Sequence, residues 1–128
     1  MIGELIGEFK GKNTVYRVLP DGKMETSAQG TGKILGIDAF IASTTTGAMV
    51  NGLFAGESNS IITTVTGETV FLKGTAIGWP GDKGGITRAT SNQTTQAPRL
   101  ARLNRVLGLH EYETDMENNW IGKIWEWK

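Results

Sequence analysis

The feature that most constrains this chain is its punctuation. Chain-reversing signals recur at short intervals, at Pro20-Asp21-Gly22, Asn51-Gly52, Thr66-Gly67-Glu68, Pro80-Gly81-Asp82-Lys83-Gly84 and Asp115-Met116-Glu117-Asn118-Asn119. Each works by a mechanism: proline presets a turn's backbone angle, aspartate bonds its own backbone, and glycine enters the left-handed region. Asn51-Gly52, set between Val50 and Leu53, is the strongest hairpin signal among them, because a type I′ turn needs positive φ at both central residues.

Between these signals the residues read as strands. The expected strands run Ile2–Leu19, Lys23–Leu35 with a bend at Gly36, Asp38–Val50, Leu53–Val65, Thr69–Gly78, Ile86–Thr94, Leu100–Thr114 and Trp120–Trp127. No window holds an apolar period of 3.6 for long. The 18 glycines and the abundant threonine also argue against helices, since both residue types lose more on entering one. Every connection is short, and a parallel crossover needs about a dozen residues or more, so neighbouring strands are antiparallel. An even strand count lets the first and last strands pair and removes the exposed edges. The expected fold is therefore all-β: residues 1–128 as a single domain, an up-and-down antiparallel eight-stranded β-barrel surrounding something small. An open sheet packed on another subunit is the rival architecture.

At 128 residues the chain is long enough to bury a core without staples. Its 13 basic and 13 acidic residues cancel, so no long-range attraction draws it to nucleic acid or to an anionic membrane, and neither is an expected partner. Arg99, Arg102 and Arg105 read as a solvated strand face. With no cysteine, disulfides and thiolate chemistry are excluded. Ile2-Gly3-Glu4-Leu5-Ile6-Gly7-Glu8 lacks the basic start and apolar stretch of a secretory signal, and no window reaches transmembrane length, so a cytoplasmic location is expected.

Glycine also recurs inside the strands, at Gly3, Gly7, Gly11, Gly30, Gly32, Gly74 and Gly78. Such positions serve either sharp curvature or close approach of another group. Gly3, Leu5, Gly7, Phe9 and Gly11 share one face of the first strand and are candidates to line a lumen. On the seventh strand, Leu100, Arg102, Asn104, Val106, Gly108, His110 and Tyr112 share a face. His110, the only histidine, and Tyr112 are the catalytic candidates, because imidazole titrates near neutrality and a phenol can pass a proton. Phe9, Arg102, Asn104 and Trp125 are the ligand-binding candidates. Glu8, Glu25, Asp38, Glu57, Tyr16 and Arg17 are further polar groups that could converge inside. Trp125 and Trp127 share a face with Ile121 and Lys123 and serve as a plug, a cavity wall or a subunit interface. No metal and no cofactor are expected: a lone histidine has no ligating partners, and no calcium-loop spacing occurs. Neither a Ser-His-Asp nor a Gly-x-Ser-x-Gly arrangement is present.

Gly30-Thr31-Gly32 followed by Gly36, the Gly74-Thr75-Ala76-Ile77-Gly78 strand and the closing Ile124-Trp125-Glu126-Trp127-Lys128 together resemble the allene oxide cyclase and dirigent group of calycin-like barrels. The resemblance implies an eight-stranded barrel, a small hydrophobic or amphipathic ligand, and a homo-oligomer, dimer or trimer. It does not carry that group's catalytic residues onto positions here, and the lack of cysteine departs from the plant cyclases. The leading expectation is a small-molecule-binding barrel. An isomerase or cyclase working through His110, Tyr112 or an enclosed glutamate is the second, and a structural homo-oligomeric module the third.

Overall fold

A computed structural model describes residues 1–128. Eight strands, β1 (Ile2–Val18), β2 (Met24–Ile34), β3 (Ile37–Val50), β4 (Leu53–Thr64), β5 (Thr69–Pro80), β6 (Gly84–Thr94), β7 (Leu107–Asp115) and β8 (Asn119–Trp127), follow one another around a closed barrel. Each pairs antiparallel with the next, and β1 closes on β8. Asn51 and Gly52 take φ of 53° and 80°, the left-handed pair that a type I′ hairpin requires. Leu35 and Gly36 do the same at 48° and 78°, joining β2 to β3 by a two-residue turn with Ile34 opposite Ile37.

The seventh strand begins later than the sequence suggests. Pro98–Arg105 forms a short 3₁₀ helix, and β7 starts only at Leu107. Proline is preset for a first helical turn. Leu100 and Leu103, three residues apart and so on one face of such a helix, are both fully buried beneath the barrel. The alternation that suggested a strand was equally a three-residue repeat, and burial of two leucines decided between them. A second correction concerns β1. Its register slips against β8 between Ile2 and Gly7, so Leu5 turns outward at 39% exposure while Ile6 enters the core at 2%.

The helix closes one end of the barrel, beside the β2–β3 and β4–β5 turns. Ile6, Ile34, Ile62, Val70, Leu100, Leu103 and Ile124 pack there into a solid apolar half-core. Two arginines pin the helix in place. Arg99 grips Glu68 of the β4–β5 turn with both Nε and Nη2, and Arg102 reaches Glu4 at 2.9 Å and Glu126 at 3.1 Å.

Outside the barrel, one row of charges runs across six strands in strict alternation. Arg88 faces Glu111, Glu111 faces Lys123, Lys123 faces Glu8, Glu8 faces Lys33, and Lys33 faces Asp38. Lys33 and Asp38 close to 3.1 Å and Arg88 and Glu111 to 3.8 Å. Opposed cross-strand charges contribute roughly 0.2–1 kcal/mol a pair, and a slip in register would forfeit them or set like charges together. The row therefore helps hold β8 against β1 where the barrel closes. No helix is long and apolar enough to cross a membrane.

Candidate functional site

The half of the barrel away from the helix is not filled. A cavity of about 240 Å³ lies there, walled by residues from all eight strands and floored by Ile41 and Leu72 above the apolar half-core. Phe54 borders it close to the Asn51-Gly52 turn, which places the cavity toward the hairpin end. Its wall mixes apolar groups such as Ala28, Ala76, Ala89 and Trp120 with hydroxyls of Thr26, Ser43, Thr45, Ser58, Ser60 and Thr114. No Lys, Arg, Asp or Glu side chain lines it. On β3 and β4 the hydroxyls satisfy one another, Ser43 with Ser60 and Thr45 with Ser58, each at 2.8 Å.

The opposite wall carries a connected chain of polar groups. In the β6–β7 register Ala89 faces His110 and Thr87 faces Tyr112. Period-two alternation then sends Ser91 and Gln93 inward on β6, and Gly108, His110 and Tyr112 inward on β7. Gln93 Nε2 donates to Ser91 Oγ at 2.5 Å. Ser91 Oγ and His110 Nε2 stand 2.6 Å apart, and His110 Nδ1 and the Tyr112 hydroxyl 2.8 Å. The backbone makes room for this cluster. A Cβ on Gly108 would stand 2.6 Å from Ser91 Oγ and 2.7 Å from Gln93 Nε2, and one on Gly122 would collide with the Tyr112 ring. Trp120 meets Tyr112 edge-on, ring centres 5.8 Å apart. Its indole Nε1 is buried without a partner.

Burial sets the protonation of the two titratable members. It pushes the His110 imidazole down to about 4, because the charged ring would lose its water, and it pushes the Tyr112 phenol up for the same reason. Near neutral pH both are uncharged.

Of the residues singled out in the sequence, the structure brings His110 and Tyr112 to the cavity and leaves the four ligand-binding candidates away from it. Phe9 is 97% buried, in the apolar core rather than on the cavity wall. Arg102 lies on the helix and is occupied by Glu4 and Glu126. Asn104, also on the helix, caps the chain, its Oδ1 accepting the Thr95 amide at 2.8 Å and its Nδ2 donating to the Thr95 carbonyl at 3.0 Å. Trp125 faces outward on β8, opposite Leu5 and Leu109, because the inward set on that strand is Trp120, Gly122, Ile124 and Glu126. Among the other polar candidates only Tyr16 borders the cavity. Ser91 and Gln93 are the members that sequence reasoning did not single out.

The fold is shared with several solved structures, one of them described as a β-barrel like protein. The chain is similar to a conserved protein of unknown function from Rhodopseudomonas palustris, at 13% identity over 99% of this chain and 98% of that one, with a TM-score of 0.79. It is similar to a protein of unknown function from Clostridium acetobutylicum, at 8% identity over 98% of each chain and a TM-score of 0.80. A β-barrel like protein from Acinetobacter baumannii matches at 14% identity over 100% and 96%, with a TM-score of 0.76. No protein-family model matches the sequence, and no curated protein does. At these identities the likeness establishes the β-barrel fold.

Proposed function

We propose that the protein binds one small, neutral, amphipathic molecule inside the open half of the barrel. The observation that carries this is the charge-free, hydroxyl-bearing cavity set above a fully packed half-core. An apolar cavity of about 150 Å³ takes a benzene ring, so about 240 Å³ suits a molecule of roughly ten non-hydrogen atoms rather than a long lipid. Absence of a charged wall removes any counter-ion for a carboxylate, phosphate or ammonium group, whose desolvation would go uncompensated. The resemblance to allene oxide cyclase and dirigent barrels points to the same ligand class. The row of charges on the outer wall favours contact with water over contact with lipid.

The cavity favours binding over proton-transfer chemistry. His110 has both ring nitrogens engaged within the wall, and no carboxylate stands beside it to act as a base. Protein-observed NMR with paired fragments of about ten non-hydrogen atoms tests the proposal. Neutral amphipathic fragments are expected to shift resonances of Ser43, Ala89, Tyr112 and Trp120, while carboxylates and amines of equal size leave them in place. Equal response to charged fragments, or shifts confined to the outer wall, would refute it.

A further inference from the structure

The polar wall has a direction. The Gln93 amide faces the Ser91 backbone carbonyl at 3.4 Å and Ser91 Oγ at 2.5 Å. An amide oxygen placed there would repel the Ser91 carbonyl, so the atom there is the nitrogen, Ser91 Oγ accepts from it, and Gln93 Oε1 is left buried without a partner. The Ser91 hydroxyl proton then has one remaining neighbour, His110 Nε2 at 2.6 Å. Were that nitrogen protonated, Ser91 would accept twice and its own buried proton would be orphaned, at a cost of about 1–3 kcal/mol. Nε2 is therefore the bare nitrogen. A neutral imidazole then carries its proton on Nδ1 and gives it to the Tyr112 oxygen. Tyr112 has no protein partner besides His110, and its hydroxyl proton is left for whatever fills the cavity it borders. Beside it, on the same wall, stands Trp120, 94% buried, its indole Nε1 enclosed and unpartnered.

We infer that the bound molecule presents an acceptor, a neutral carbonyl oxygen, to a donor-terminated chain running Gln93, Ser91, His110, Tyr112. This rests on the cavity being a binding site and adds which end of the ligand faces β7 and β8. A carbonyl oxygen has lone pairs and no proton, so it can accept from the Tyr112 hydroxyl, whereas a hydrocarbon of the same shape leaves that donor unsatisfied. Polarisation along the chain strengthens the terminal donor.

Acetophenone and α-methylstyrene form a suitable probe pair, nearly equal in shape and differing in C=O against C=CH2. Binding is measured by titration of tryptophan fluorescence, to which Trp120 contributes, and by calorimetry on the full chain. Wild type is expected to hold acetophenone about tenfold more tightly, one hydrogen bond's worth. Tyr112→Phe keeps the ring over Gly122 and is expected to cut that ratio to about threefold or less while leaving α-methylstyrene affinity unchanged. A second measurement needs no variant and no ligand: nitrogen-15 NMR of His110 is expected to show the proton on Nδ1. Binding of both probes with equal affinity, or a proton on Nε2, would overturn the donor assignment while leaving the cavity reading intact. Failure of both probes to bind would overturn both readings.

Discussion

Acidification to pH 5 should destabilise this protein through one side chain. His110 is the chain's only histidine and is held near a pKa of about 4, against an ordinary value of 6.5. Its folded value is depressed, so the unfolded chain takes up the proton first. Stability is complete above pH 6.5, falls as the pH drops toward 4, and is flat below as far as this group is concerned. At 1.36 kcal/mol per pKa unit, the fall between pH 8 and pH 5 comes to about 2 kcal/mol. For a domain of this size that is a lowering of Tm by about 6–10 °C. The arginine-bound carboxylates do not confuse the window: Glu68 is held down to about 2 by Arg99, and Glu126 is lowered by Arg102, so their losses come below pH 4.5. Urea unfolding at pH 8, 7, 6 and 5 on wild type and His110→Gln is the assay. The variant should be less stable but nearly independent of pH over that range. A wild type that keeps its stability to pH 5, or a variant with the same slope, would refute the burial of a neutral imidazole.

Other substitutions probe separate parts of the barrel. Leu103→Ala removes a fully buried plug beneath the core and should cost about 2–5 kcal/mol in urea unfolding; a loss under about 1 kcal/mol would mean the helix merely rests on the barrel. Gly122→Ala drives a methyl into the Tyr112 ring, so near-ultraviolet circular dichroism should change and probe binding should weaken, and an unaltered spectrum would contradict the stacking. Trp125→Ala, on the outer wall, should leave affinity for cavity probes within about twofold, less than 0.5 kcal/mol, and a larger loss would move that indole into the site.

Much of the barrel was written in the turns. Asn51-Gly52, Gly22 and Gly67 stand at positive φ where the chain reverses, so strand order and closure followed from local chemistry. The helix was not legible, because Leu100-x-x-Leu103 alternates as well as it repeats every three residues, and only burial separates the two. The same ambiguity carried Arg102 and Asn104 to an inner face they do not occupy. His110 and Tyr112 were legible as a pair on one face from their spacing of two, but that this face turns inward is set by the strand pairing. Ser91 and Gln93 alternate just as plainly on β6, yet their meeting with His110 depends on a register set across the helix, which no turn signal specifies. On β8 the tryptophans misled. Glu126 shares the inward face with Trp120, held there by Arg102, so polarity pointed to the wrong side. The alternating row from Arg88 to Asp38 was in the sequence as single charges and emerges only once the strands are paired.

The central claim, a cavity that holds one small neutral molecule, is tested most directly by native mass spectrometry of the protein taken from its own cells, wild type against Ala89→Phe. The phenyl ring of the variant would fill space that Ala89 leaves open beside His110. Wild type is expected to carry a single adduct of about ten non-hydrogen atoms, released on activation, and the variant to carry none. An adduct retained equally by both proteins, or a charged species bound to wild type, would contradict the claim.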